Sequence, residues 1–472
     1  MTMVFERVQT QGIAQFSYLI GDDSSGTAAV IDPRPDGEDY LELARKFGVS
    51  ITHVFETHIH ADFMSGGREL VDRLGDVKLC ASGEGEAEYG FDLERIGDGD
   101  RFEFGSVLLT ARHTPGHTPE HMAYEVAEKD NPGEPWGVFT GDSLFVGSAG
   151  RPDLLGEEQT EQLVESLFET LRDYYLQLDD GVVIFPCHGA GSACGADIGD
   201  RPMGSIGFER RTNPFLQHET LKDFRRFVEE GAPPEPRHYR HLKQVNAKGP
   251  PILGHAPVAP GLPPERFRKA IEEADAQLVD TRQMLAFGGG HIPGAINIGP
   301  RPEMSVWAGQ ILDYDKPILL VVEDETDLDW FLWKFVDTGF TNFAGYLIGG
   351  MKAWANAGMH LQKLPHLTVH ELKDSLADVT LLDVRAPDEW EQGHIPGAKH
   401  LYVADMPDKL DELPEWDSEK PIVTYCDSGY RAAIAASLLQ RHGHADVRNV
   451  PGSWQAWTTA EYETEKSKED RR

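Results

Sequence analysis

The chain has 472 residues, 40% hydrophobic and 26% charged, a globular balance at about three times the ~150 residues typical of one domain, so several cores are expected. Lys and Arg number 44 against 79 Asp and Glu, a net charge of −35, which repels phosphate backbones and anionic lipid and argues against nucleic-acid and membrane partners. No apolar run approaches the ~18 residues of a membrane span, Glu6 and Arg7 stand where a secretory segment would be apolar, and a cytoplasmic protein is the expectation.

In chain order, apolar runs predict strands at Ala28 to Ile31 and Ile51 to Phe55, then a helix near Gly66 to Leu74. More strands are expected at Lys78 to Ala81, Val107 to Ala111, Ala123 to Val126 and Gly137 to Thr140, a long helix near Glu158 to Leu176, and a strand at Val182 to Phe185. This mixture suggests an α/β sandwich. Nine prolines between Pro233 and Pro264 oppose a regular helix or central strand and mark a boundary. Beyond it the chain repeats itself at a spacing of 103 residues: Asp280-Thr281-Arg282 returns as Asp383-Val384-Arg385, Gly290-His291-Ile292-Pro293-Gly294-Ala295 as Gly393-His394-Ile395-Pro396-Gly397-Ala398, and Trp354 as Trp457. Two copies of one parallel α/β domain follow from this, with strands near Pro317 to Val322 and Pro421 to Tyr425 and helices near Asp327 to Thr338 and Arg431 to Arg441.

Candidate chemistry sits on loops after strands. Thr57-His58-Ile59-His60-Ala61-Asp62 follows the strand ending near Glu56, so an extended chain puts His58, His60 and Asp62 on one side. His117, Asp142 and His188 stand in later turns of the same kind, an arrangement suited to a metal site held by a rigid sheet. These clusters together resemble the metallo-β-lactamase fold over the whole N-terminal half. In the dinuclear hydrolases of that fold, such as glyoxalase II, a histidine follows the motif aspartate. Phe63 stands there and cannot ligate.

The pattern, with Gly141-Asp142-Ser143-Leu144-Phe145-Val146 running on to Gly150-Arg151-Pro152-Asp153, is similar to the persulfide dioxygenases. That resemblance implies one Fe(II) per chain on His58, His117 and Asp142, two imidazoles and a carboxylate suited to O2 chemistry. It implies that His60, Asp62 and His188 orient ligands and handle protons, that Arg151 binds the carboxylate of an anionic thiol, and that Asp153 holds the loop. Cys187 and Cys194 lie in a glycine-rich loop, and Cys194 is read as the sulfur-handling residue there, the alternative being a buried small hydrophobe.

Cys426-Asp427-Ser428-Gly429-Tyr430-Arg431 lies between a strand and a helix. Backbone N–H groups and the helix start in such a turn stabilise an anionic sulfur. The C-x-x-G-x-R spacing resembles a rhodanese sulfurtransferase. Cys426 is then the sulfur carrier, Arg431 the partner of thiosulfate or sulfite, and Asp427, Ser428, Gly429 and Tyr430 the rest of the substrate loop. Phosphatases of related fold, with a C-x5-R loop, are the rival; only four residues separate Cys426 from Arg431 here, and the shorter loop favours sulfane sulfur. The first copy has Val322 or Glu323 at the equivalent place, depending on the alignment, and is read as a non-catalytic spacer or docking surface.

Expected domains are therefore residues 1–243, a metallo-β-lactamase αββα sandwich; 244–362, a rhodanese-like domain without the cysteine; and 363–472, a catalytic rhodanese domain. The expected enzyme oxidises a low-molecular-weight thiol persulfide, carried on glutathione, coenzyme A or a similar thiol, with O2 to sulfite, and moves sulfane sulfur between thiosulfate and persulfide at Cys426. A homo-oligomer is expected from the fold family. The alternatives are a zinc thioester hydrolase of the glyoxalase II kind and a non-enzymatic sulfur carrier or sensor.

Overall fold

The computed structural model describes residues 3–231, 234–410 and 420–466, so Pro233 of the proline-rich boundary lies outside the described residues. The chain divides into two compact units, the first formed by residues 1–256 and the second by most of 257–472.

The first unit is built on two six-stranded sheets. One runs Met3–Thr10, Gln15–Asp22, Thr27–Ile31, Ser50–Phe55, Lys78–Ser82 and Glu94–Ile96 in spatial and chain order. The other runs Gly204–Ser205, Val183–Pro186, Gly137–Gly141, Met122–Glu128, Val107–His113 and Arg101–Phe104. Phe16, Tyr18 and Phe55 of the first sheet meet Tyr124, Phe139 and Phe185 of the second in a shared core. Helices Glu38–Phe47 and Gly67–Leu74 bury Tyr40, Ala44 and Leu70 against the outer face of the first sheet. Helices Glu157–Glu169 and Leu221–Gly231 do the same for the second sheet through Val164, Leu167, Phe224 and Val228. This is the αββα sandwich that the resemblance predicts.

Two departures from the expected elements matter for the site. The helix expected from Glu158 to Leu176 is α-helical only to Glu169 and continues as a π turn, Thr170–Tyr174. It widens where Thr170 Oγ1 donates to the Pro115 carbonyl at 2.8 Å, against the loop that carries His117. The second departure corrects the reading of the proline-rich stretch: a helix, His238–Lys248, forms inside it. Pro236 precedes its first turn and Pro250 follows its end, so neither removes an internal hydrogen bond. Among the described residues no helix is long and apolar enough to cross a membrane.

The second unit holds the two copies. Their sheets are parallel throughout, with order Gly261–Leu262, Phe343–Leu347, Ile318–Val321, Gln277–Asp280, Ile296–Asn297 in one and Lys399–His400, Thr380–Asp383, Ile422–Tyr425, Val447–Asn449 in the other. The repeat is visible atom by atom. Arg282 binds Asp280 and the Gly290 carbonyl, and Arg385 binds Asp383 and the Gly393 carbonyl. Trp354 Nε1 donates to the His360 carbonyl and Trp457 Nε1 to the Glu463 carbonyl, both at 2.9 Å. The sheet register pairs Asp280 with Val321 and Asp383 with Tyr425, which makes Val322, rather than Glu323, the counterpart of Cys426.

These buried pairs give a stability prediction. Asp383 is fully buried and accepts from Arg385 Nε and Nη2 at 3.0 and 2.6 Å. Arg385→Ala strands that carboxylate, and breaking such a pair from one side costs about 3–5 kcal/mol. The unfolding midpoint in urea should drop accordingly; an unchanged midpoint would show that Asp383 finds water or another donor.

Candidate metal centre and cysteine loop

Four loops leave the same edge of the sandwich after strands Ser50–Phe55, Val107–His113, Gly137–Gly141 and Val183–Pro186, and they carry His58, His117, Asp142 and His188. Ligand atoms of His58, His117 and Asp142, all buried, lie within 4.8 Å of one another. Asp142 Oδ2 is 3.9 Å from His58 Nε2 and 3.6 Å from His117 Nε2.

The tautomers follow from the hydrogen bonds. Thr57 Oγ1 donates to Asp32 Oδ2 at 3.0 Å, so its contact with His58 Nδ1 at 2.9 Å is one in which the imidazole donates, which leaves the Nε2 lone pair bare. His117 Nδ1–H donates to the Arg151 carbonyl at 2.9 Å, which bares its Nε2 in the same way. Burial and the neighbouring imidazoles hold the His58 pKa well below the usual range, and burial lowers that of His117, so both rings are neutral with a bare Nε2. Burial would raise the Asp142 carboxyl, but His188 and His117 outweigh it and hold it below the usual carboxylate range. His58 Nε2 and Asp142 Oδ2 are buried without a hydrogen-bond partner. Uncommitted donors converging in a buried site fit a divalent cation.

His60 and His188 each engage carboxylates through one nitrogen, while Asp62 Oδ1 and Oδ2, His188 Nε2 and His60 Nδ1 are buried without a hydrogen-bond partner. Ligand atoms of Asp62, His188 and Cys194 form a second converging group. His188 forms ion pairs with Asp142 Oδ1 at 2.8 Å and Asp62 Oδ2 at 2.6 Å. Burial works against its charge, yet the two carboxylates push its pKa up to about 10. His60 Nε2 faces Asp32 Oδ1 at 3.1 Å and Glu56 Oε2 at 3.2 Å. Phe63 is fully buried with its ring 4.3 Å from that of His60.

Three contributors escaped the sequence reading. Asp32 sits in the left-handed region at φ 50 and its carboxylate accepts from Thr57 N and Thr57 Oγ1, bracing the His58 loop. An acidic residue at the end of a buried apolar strand was the available signal. His121 accepts from the Asp142 backbone N–H at 3.0 Å and is held neutral by burial, its pKa near 3. Its place four residues after His117 was the signal there. The third is helix His238–Lys248, whose Tyr239, Arg240 and Lys243 line the pocket that contains His117.

Arg151 is held by the aspartate expected to fix its loop. Its guanidinium binds Asp153 at 2.9 and 2.6 Å and lines a separate apolar pocket with Phe215 and Phe227. Arg240 and Lys243 line the His117 pocket. Cys194 is buried, with Sγ 3.4 Å from the Tyr239 hydroxyl and close to Asp62 and His188. Burial, with Asp62 and Asp142 nearby, pushes its thiol pKa well up, so it stands as a neutral thiol.

In the cysteine loop, Gly429 N–H donates to Cys426 Sγ at 3.1 Å, and helix Tyr430–Arg441 begins at once after it. Gly429 has φ 106, and a Cβ there would press on Pro451, so the turn needs glycine. Asp427 accepts from Gln455 Nε2 at 2.6 Å, and Ser428 is half-buried with its carbonyl accepting from Gly452 N. Arg431 is bidentate to Glu389 at 2.5 and 2.7 Å, so an anion reaching it must compete with that carboxylate. The Tyr430 hydroxyl donates to the Gly299 carbonyl of the first copy at 3.0 Å. The first copy has Ala286 where the second has Glu389, and Asp327 where it has Arg431. It keeps the scaffold but has none of the Cys426, Glu389 and Arg431 side chains.

Comparison with known proteins agrees with this division. The metallo-beta-lactamase superfamily model matches residues 11–188, and the rhodanese-like domain model matches 263–357 and 368–460. A hydroxyacylglutathione hydrolase of Synechococcus sp. is 30% identical over 43% of this chain and 84% of its own length. The bovine protein named persulfide dioxygenase ETHE1, mitochondrial, is 27% identical over 43% of this chain and 71% of its own. Against several other hydroxyacylglutathione hydrolases the chain spans little more than half of their length. A crystal structure titled metallo-beta-lactamase from Staphylococcus aureus is 30% identical with TM-score 0.66, covering 74% of this chain and 99% of that one. The chain belongs to the metallo-beta-lactamase superfamily, with two rhodanese-like domains following its N-terminal domain.

Proposed function

We propose that the protein is an Fe(II)-dependent persulfide dioxygenase coupled to rhodanese sulfur transfer. The observation that carries this reading is the contrast at the metal centre. Donors of His58, His117 and Asp142 converge, His188 is engaged by the carboxylates of Asp142 and Asp62, and the residue after Asp62 is Phe63, which cannot ligate. One metal with two imidazoles and one carboxylate suits iron and leaves open positions. When bound there, iron supplies a place where persulfide sulfur and O2 meet.

The chain's own residues do the rest. Tyr239, Arg240 and Lys243 at the mouth receive an anionic thiol carrier, and His121 and His188 hold Asp142 from its two sides. Cys194 and Tyr239 present neutral S–H and O–H groups beside Asp62 and His188. The net reaction is RSSH + O2 + H2O → RSH + SO3²⁻ + 2H⁺. In the last domain the Cys426 thiolate attacks the sulfane sulfur of thiosulfate. The S–S bond breaks, sulfite leaves with the electron pair, and Cys426 is left as a persulfide for an acceptor thiol. The same step run backwards makes thiosulfate from sulfite. Domain bounds of 1–243, 244–362 and 363–472 are proposed with these roles, with helix His238–Lys248 contributing to the first site.

A zinc thioester hydrolase is the second reading, favoured by the names of several relatives and by the presence of Asp62 and His188. Assaying one preparation with glutathione persulfide and with S-lactoylglutathione separates them: O2-dependent sulfite formation without thioester cleavage is expected, and the converse would favour the hydrolase. Phe63→His gives a second discriminator. An added imidazole beside Asp62 and His188 should raise zinc uptake from about one toward two per chain and lower persulfide oxidation. Unchanged stoichiometry in a destabilised variant would reduce Phe63 to a packing residue.

A further inference from the structure

Next to the His117 pocket, and sharing Ile59 with it, the metal centre has a second, narrow cavity that His117 does not line. Ile59, Leu79, Ala81, Phe91 and Leu93 give it an apolar lining, His58 and His60 stand in its wall, and its free space of about 20 Å³ holds roughly one water-sized molecule. Arg68, Leu79, Phe91 and Leu93 also line an open groove of about 540 Å³ on the surface, so the cavity and the groove adjoin. Arg68 is fixed where they meet: it donates to the Pro250 carbonyl at 2.6 Å and lies 5.2 Å from the centre of the Phe91 ring. The polar groups nearby are paired among themselves, Glu56 with Ser65 and with His60. The Tyr89 hydroxyl is buried there without a partner.

This space is too small for a thiol persulfide, and Arg68 and His60, which line it, are already engaged by the Pro250 carbonyl and by Asp32 and Glu56. The His117 pocket, with Tyr239, Arg240 and Lys243, suits an anionic substrate instead. A neutral diatomic gas has the opposite requirements, since it fits a water-sized space and gains from apolar walls. We propose that this cavity is the route by which O2 reaches the metal centre, entering behind His58 while the persulfide enters at His117. The proposal rests on the oxygenase reading and adds a separate path for the second substrate.

Two experiments test it. Crystals of the full chain pressurised with xenon should show a xenon atom bounded by Leu79, Ala81 and Phe91, a readout that needs neither iron nor turnover. Leu79→Phe should raise the KM for O2 several-fold while leaving the KM for glutathione persulfide and the rate at saturating O2 unchanged. Should Leu79→Phe fold poorly, the half-buried Leu93→Phe narrows the same wall with less strain. Xenon absent from a cavity that holds only water, an unaltered O2 KM in both variants, or a rise in persulfide KM instead would each overturn the route and leave the oxygenase reading standing. A wild-type enzyme that consumes no O2 would sink the oxygenase reading itself, and the route with it.

Discussion

Asp142→Ala is expected to leave the protein almost free of iron and to reduce persulfide-dependent O2 uptake by at least about 100-fold, since even outer partners of metal ligands are worth 10–100-fold and Asp142 is proposed as a ligand itself. Asp142 Oδ2 is the atom that faces both His58 Nε2 and His117 Nε2, while Oδ1 takes the His188 proton. Alanine removes one donor of three and frees His188 to turn toward Asp62. Sulfur transfer from thiosulfate should continue, because Cys426 belongs to the other unit. Metal analysis and an oxygen electrode on the same sample check this. An iron-replete Asp142→Ala enzyme with normal O2 uptake would remove Asp142 from the ligand set.

Cys426→Ser should do the reverse. Sulfur transfer from thiosulfate to a thiol should fall to background, because a serine hydroxyl stays protonated and forms no persulfide. The fold should hold: oxygen is smaller than sulfur and can accept the Gly429 N–H that now reaches Sγ at 3.1 Å. O2 uptake with glutathione persulfide should stay near the wild-type value. Undiminished transfer would place the carrier sulfur elsewhere, with Cys194 the next to examine.

What could be read from the sequence was local. The strands Thr27–Ile31 and Ser50–Phe55 announce themselves as apolar runs, and the His58 to Asp62 motif concentrates three polar groups within five residues. The duplication was legible because Asp-x-Arg and Gly-His-Ile-Pro-Gly-Ala are short and contiguous. Contacts made across long stretches of chain were not. Arg431 reads as a free anion binder until Glu389, 42 residues earlier, is seen to hold it. Tyr430 reads as part of a substrate loop, and only the structure shows its hydroxyl on Gly299, 131 residues away. Arg151 has its partner Asp153 in plain view two residues on, yet spacing alone does not say that the pair closes on itself. Helix His238–Lys248 was hidden by composition, because the prolines that bracket it were read as excluding it. The counterpart of Cys426 in the first copy was ambiguous by one residue, and only the pairing of Asp280 with Val321 decided for Val322.

The central claim, a single-iron oxygenase acting on persulfide sulfur, is tested most directly by quantifying metal, O2 consumed and sulfite formed in one sample of wild-type protein given glutathione persulfide. The account predicts about one iron per chain, as three protein ligands with open positions allow, and one O2 consumed for each sulfite released. Two tightly bound zinc ions per chain and no O2 consumption would contradict it.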